Sequence, residues 1–155
     1  TSSSTFTLSS GGAGVNSSSK TYIAYCFAPV AGYSAFGSYI ANADTSGDGP
    51  FVYVGFRPKL IMVKHATGTA NTYSSWLIVD TERDTYNVSD AGLFANKGSA
   101  EGTRGDGSGS AGTWLDILSN GFKIRYDGTE VNGTSGDTYI YAAFAENPFK
   151  YSRAR

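Results

Sequence analysis

One histidine, His65, is the side chain of this sequence best placed by its ordinary pKa to move protons near neutrality. It lies in the alternating run KLIMVKH at 59–65, where a core or edge histidine is expected rather than a general base. No G-x-S-x-G elbow is present, so a Ser-His-Asp hydrolase of that type has no support. Asp80, Glu82, Asp84, Asp116 and Glu146 are the carboxylates from which a glycosidase pair could be drawn, but nothing in the sequence pairs them. Asp44-Thr45-Ser46-Gly47-Asp48-Gly49 sets oxygen donors at alternate positions, as a calcium loop does. It lacks the distal bidentate Glu, and an ordinary Asp/Gly turn is the expectation. Zinc has no Cys/His set. The single cysteine, Cys26, excludes an internal disulfide; within TYIAYCFA it is expected to be a small buried hydrophobe. The sequence thus assigns no catalytic residue, no metal ligand and no cofactor, and the chain is expected not to be an enzyme.

Aromatic side chains are the better chemistry. A ring offers apolar area to a sugar face, and Tyr and Trp add a polar handle. Tyr33, Tyr73, Trp76, Tyr86 and Trp114 are the candidate ligand-binding residues. Of these, Trp76 and Trp114 are expected to fill the core, whereas Tyr33, Tyr73 and Tyr86 sit near turn signals and are the better candidates for exposed contacts. Arg104-Gly105-Asp106, an integrin-type tripeptide, and the sequons at Asn16, Asn87 and Asn132 are read as incidental features of loops and turns.

The elements that must position these residues are strands. Charged residues make up 16%, well under the ~25% of an average domain, and 20 Gly, 11 Tyr and 9 Phe take their place. That mixture suits pleated surfaces joined by tight turns. Twelve basic against thirteen acidic residues leave nothing to neutralise a phosphate backbone, so nucleic acid is not an expected partner. No apolar run approaches a membrane span, and the N-terminal TSSSTFTLSSGG lacks the pattern of a signal peptide; it reads as a cut through a longer chain or a lead-in. In 59–65, Leu60 and Met62 fall on one face and Ile61, Val63 and His65 on the other. Both faces are mostly apolar, which predicts a central strand. GFKIRY at 121–126 turns Phe122, Ile124 and Tyr126 inward. Further strands are predicted at 21–28, 36–41, 51–55, 75–80, 91–95, 113–118 and 138–145. Ser119-Asn120-Gly121 marks a hairpin, and 98–112 is the longest loop. The fold class is all-β: an antiparallel, jelly-roll-like β-sandwich.

The sequence also repeats itself. Phe6, Leu8, Val15-Asn16, Thr21-Tyr22-Ile23 and Phe27-Ala28 match Phe122, Ile124, Val131-Asn132, Thr138-Tyr139-Ile140 and Phe144-Ala145, with one residue of difference between the Asn and the Thr. The expectation is one hairpin used twice. Residues 1–28 are then the closing hairpin of a preceding repeat, or a lead-in, and 29–155 a full sandwich unit.

Several ordered motifs carry a resemblance. GYSAFGSYIANADTSGDGPFVYVGFRPKLIMVK at 32–64, Trp76-Leu77-Ile78-Val79-Asp80 followed by Arg83, DILSNGFK at 116–123 and TYIYAAFAENPFK at 138–150 together resemble a module of tail-fibre and other structural proteins of tailed phages. The likeness spans nearly the whole chain. One departure is Ala41-Asn42-Ala43, where such modules often have Gly-Asn-Gly, which puts the turn geometry there in doubt. The resemblance implies a virion protein, often in tandem repeats, assembled in the bacterial cytoplasm, with PFKYSRAR resembling a natural C-terminal end. It supplies no catalytic residues. The expected function is attachment to host-surface glycan through loop residues; the alternative is a purely structural fibre segment or capsid decoration without receptor binding. An enzyme cleaving surface polysaccharide is the least favoured. The expected partners are other virion subunits, as a homotrimer by analogy with fibres.

Overall fold

The computed structural model describes residues 4–8, 14–68, 74–101 and 113–147. Tyr73, Arg104-Gly105-Asp106 and most of the 98–112 loop lie outside these residues. Eight strands form: β1 (Ser34–Ile40), β2 (Phe51–Tyr53), β3 (Pro58–His65), β4 (Trp76–Asp80), β5 (Leu93–Phe94), β6 (Leu115–Leu118), β7 (Gly121–Ile124) and β8 (Thr138–Ala145). The described residues contain no helix.

Two antiparallel sheets pack face to face, one ordered β1-β8-β3-β4-β5 and the other β2-β7-β6. Pairing β1 with β8, β2 with β7 and β4 with β5 nests the chain like a jelly roll. The expected β-sandwich is therefore the fold, and β3 is central, between β8 and β4.

Strand alternation builds the core. Ile61, Val63, Leu77, Val79 and Tyr139 of the large sheet meet Val52, Leu115, Ile117, Phe122 and Ile124 of the small one. Trp114 is fully buried among them and donates its indole N–H to the Asp90 carbonyl at 3.1 Å. Tyr39 and Tyr139 stack with ring centroids 5.3 Å apart. Burial holds the Tyr39 phenol well above its ordinary pKa, with the neighbouring Tyr139 adding to the effect; burial pushes Tyr139 up to about 12.

The Ser119-Asn120 turn joins β6 to β7 as predicted, but Gly121 is there for close approach: a Cβ on it would overlap the Val52 carbonyl oxygen. Asn87 closes the free edge of β6. Its side-chain amide donates to the Ile117 carbonyl and its oxygen accepts the Ile117 N–H.

Three expectations are corrected. The 122–145 segment is not a hairpin, because β7 and β8 lie in different sheets. Residues 125–137 cross between them, burying Val131 and Asn132 on the way. The 21–28 strand does not form: among the described residues of 4–28 no strand is present, and no described strand offers this segment a ladder. Cys26 is exposed for the same reason.

Candidate functional site

The outer face of the five-stranded sheet is as apolar as the inner one. Register sets Phe36 of β1 opposite Ala142 of β8, Leu60 of β3 opposite Phe144 of β8, and Met62 of β3 between Ala142 and Ile78 of β4. Ile140 and Trp76 continue the surface at the two neighbours of Lys64. No second layer of strands covers this face among the described residues. A groove of about 570 Å³ runs along it, walled by Phe36, Leu60, Met62, Trp76, Ile140 and Phe144. The N-terminal segment supplies one rim: Phe27 stacks on Phe36 at 5.5 Å and meets Phe144 edge-on at 6.4 Å, and Tyr25 lies beside it. Gly37 of β1 leaves room for the ring of Tyr141, whose phenol burial raises above its ordinary pKa.

No carboxylate, amine or imidazole lines the groove; its polar side-chain groups are the Tyr25 phenol and the Trp76 indole N–H, since Tyr141 turns its ring to Phe122 and the core. It can bind by area, shape and aromatic faces, and its lining includes no carboxylate or imidazole for general acid–base work.

The five sequence-derived candidates do not converge on one site. Trp76, 37% exposed, lines the groove. Tyr33, 38% exposed, flanks it through an edge contact with Phe144 at 6.2 Å. Trp114 is core, and Tyr86 is 83% exposed in the connection after β4. Tyr73 lies outside the described residues. Sequence reasoning missed Phe36, Leu60, Met62, Ile140 and Phe144. Their signal was available in β3 and β8, strands apolar on both alternations in a sequence without a sustained helical period.

Elsewhere the polar clusters tie chain to chain. His65 bridges Ser74 Oγ, 3.0 Å from Nδ1, and Asp137 Oδ2, 2.7 Å from Nε2. Nε2 faces a carboxylate oxygen and Nδ1 a hydroxyl that can either donate or accept. The three residues have the composition of a nucleophilic relay, but the ring is sealed on the inner face of β3, over Tyr139 at 4.9 Å. The groove lies on the opposite face, so a molecule in it does not meet Ser74. These bonds pin the start of β4 to the start of β8.

In the 44–49 turn, Asp44 Oδ1 accepts from Ser46 N, Ser46 Oγ and Asp48 N, while Asp48 pairs with Lys123. The Ser46 hydroxyl, then the Asp48 N–H, lower the Asp44 pKa. The loop is an Asx turn fastened to the small sheet by Arg125 Nη1, which donates to the Gly47 carbonyl at 2.9 Å. Asp80 and Arg83 organise the turn after β4. Asp80 Oδ1 accepts from Glu82 N and Arg83 N, and Oδ2 accepts from Arg83 Nε at 2.6 Å. Burial would raise the Asp80 pKa, but the Arg83 N–H and guanidinium outweigh it and the carboxyl is held low.

Residues 1–148 match a domain family described as a domain of unknown function, DUF7483. No curated protein and no solved structure matches the chain.

Proposed function

We propose, for a chain that belongs to the domain family of unknown function DUF7483, that it is a non-enzymatic structural module of a phage virion. In this reading it packs against neighbouring copies of itself through the outer face of its five-stranded sheet, as a trimer by analogy with fibres. The observation that carries the reading is the groove itself: an aromatic and aliphatic strip across four strands with no charged residue in its lining, beside which Lys64 turns its amine to the Ser74 carbonyl, on a domain whose core is already complete. Contiguous exposed apolar surface of this kind marks an interaction site, and each large side chain it contributes is worth roughly 1.5–3 kcal/mol when fully buried. The tail-fibre-like motifs supply the virion context. The test is the mass in solution against concentration, for the native chain and for Met62→Lys. Self-association that the lysine abolishes supports the reading.

Attachment to host glycan is the second reading, favoured by Trp76 and Tyr33, which flank one face and stay partly exposed. A sugar, however, needs polar partners for its hydroxyls, and the groove lining offers one phenol, Tyr25, and the indole N–H of Trp76. Glycan-array binding lost on Trp76→Ala and Tyr33→Ala, from a chain that stays monomeric, would establish it instead.

A further inference from the structure

The two copies of the sequence repeat live in opposite environments. In the second copy Phe122, Val131, Asn132 and Tyr139 are each fully buried. Asn132 is the hub of that region. Its Oδ1 accepts from Asn42 N at 2.9 Å and Ala43 N at 3.3 Å, and its Nδ2 donates to Asn42 Oδ1 at 2.9 Å. In the first copy Phe6 is 57%, Val15 54% and Tyr22 44% exposed, and Asn16 is exposed as well. Solvent makes no demand for Phe, Val-Asn and Thr-Tyr-Ile at these spacings, whereas the slot filled by β7, the 125–137 crossover and β8 does.

The alternation agrees. β8 turns Tyr139, Ala143 and Ala145 to the core and Ile140, Ala142 and Phe144 to the groove. In the same register, residues 21–28 would turn Tyr22, Ala24, Cys26 and Ala28 inward and Ile23, Tyr25 and Phe27 outward. Cys26, small like Ala143, falls at the position opposite Ile61 of β3.

We infer that residues 6–28 are the closing β-segment of a second unit of this fold, occupying there the place that 122–145 occupies here, and that Phe27 is the joint between the two units. Its ring already rests on Phe36 and Phe144 of the following unit, where it would stay when the rest of the segment is taken up. The inference stands on the repeat and its burial, and does not depend on the virion reading. The partner is a related unit rather than an identical copy. The position of Gly121 is Thr5 in the arm, and a Cβ at Gly121 would overlap the Val52 carbonyl; the position of Gly133 is Ser17, where a Cβ would crowd the Thr129 backbone.

A tandem chain tests this. Residues 29–121 are placed directly before residues 6–155, with Ser17→Gly, so that the upstream unit has no β7 side chains, crossover or β8 of its own except those the arm supplies. The expected result is two folded units, seen as a melting enthalpy about twice that of the native chain. Adding Asn16→Ala should lower the melting temperature of the upstream unit by about 5 °C or more while the downstream unit is unchanged, and the same substitution in the native chain should move its melting by less than about 1 °C. A milder graft guards against simple misfolding. Tyr141→Ala, Ala142→Tyr and Ala143→Cys together write residues 21–28 into β8, and a control writes the same residues shifted by one. The graft should melt cooperatively and the shifted control should not. An unfolded upstream unit, together with a graft no better than its shifted control, would overturn the inference.

Discussion

Ala43→Gly should stabilise this protein, although it removes a side chain. Ala43 holds φ at +51°, in the left-handed region, and only Ser19 shares a positive φ among the described non-glycine residues. The conformation is imposed from outside, because Asn132 Oδ1 accepts the N–H groups of both Asn42 and Ala43. An L-residue there costs about 1–2 kcal/mol, whereas glycine loses about 0.5–1 kcal/mol more backbone entropy on folding. The difference is a gain of up to about 1.5 kcal/mol, or a rise of up to about 6 °C in Tm for a domain of this size. Ala41→Gly is the matched control. Ala41 is buried, 3% exposed, with no positive φ, so it should lose roughly 1 kcal/mol. Urea titrations of the two single variants read both signs in one assay. Ala43→Gly behaving like Ala41→Gly would refute the claim that the buried Asn132 amide, rather than local preference, sets the 41–43 turn.

Other outcomes follow from the same contacts. Tyr139 is held neutral to about pH 12 in the fold, and Tyr39 is raised as well. Stability should be complete below the unfolded phenol pKa near 10 and fall as pH rises towards 12, by roughly 2–3 kcal/mol for Tyr139; urea midpoints from pH 8 to 12 measure it, and Tyr139→Phe should flatten the slope. Trp114→Ala should cost about 3–5 kcal/mol in urea unfolding and Trp76→Ala under about 1, since one ring fills the core and the other lines an open groove. Cys26 should react stoichiometrically with a thiol reagent in the native chain, without unfolding; protection until the chain unfolds would place the segment in a packed site.

The sequence and the structure agree where a strand's evidence is local and part where it depends on a partner. The two-faced run at 59–65 and the Asn-Gly signal at 120–121 placed β3 and the β6–β7 turn, because alternation and turn chemistry act over a few residues. TYIAYCFA has the composition of a strand but, among the described residues, no neighbour to pair with, and composition cannot supply one. The same limit made 122–145 look like a hairpin. Whether strands joined by residues 125–137 pair or part company is decided by the burial of Val131 and Asn132 between the sheets. The groove was half legible: the apolar second face of β3 was visible and rightly read as central, but whether a further layer covers it is a property of topology. Trp76 and Trp114 look alike in sequence, and only the register of β4 separates them.

Sedimentation velocity over a wide concentration range, on the native chain and on Met62→Lys/Ile140→Lys, tests the proposed packing face most directly. An unpaired lysine buried at an interface costs several kcal/mol, a large share of the ~8 kcal/mol behind a micromolar Kd. Both positions point away from the core, so folding should survive. The native chain should associate as its concentration rises, and the double variant should stay monomeric with its melting temperature within a few degrees of native. A native chain that remains monomeric at every concentration, or a double variant that associates as well as the native chain, would contradict the assignment of this face to self-packing.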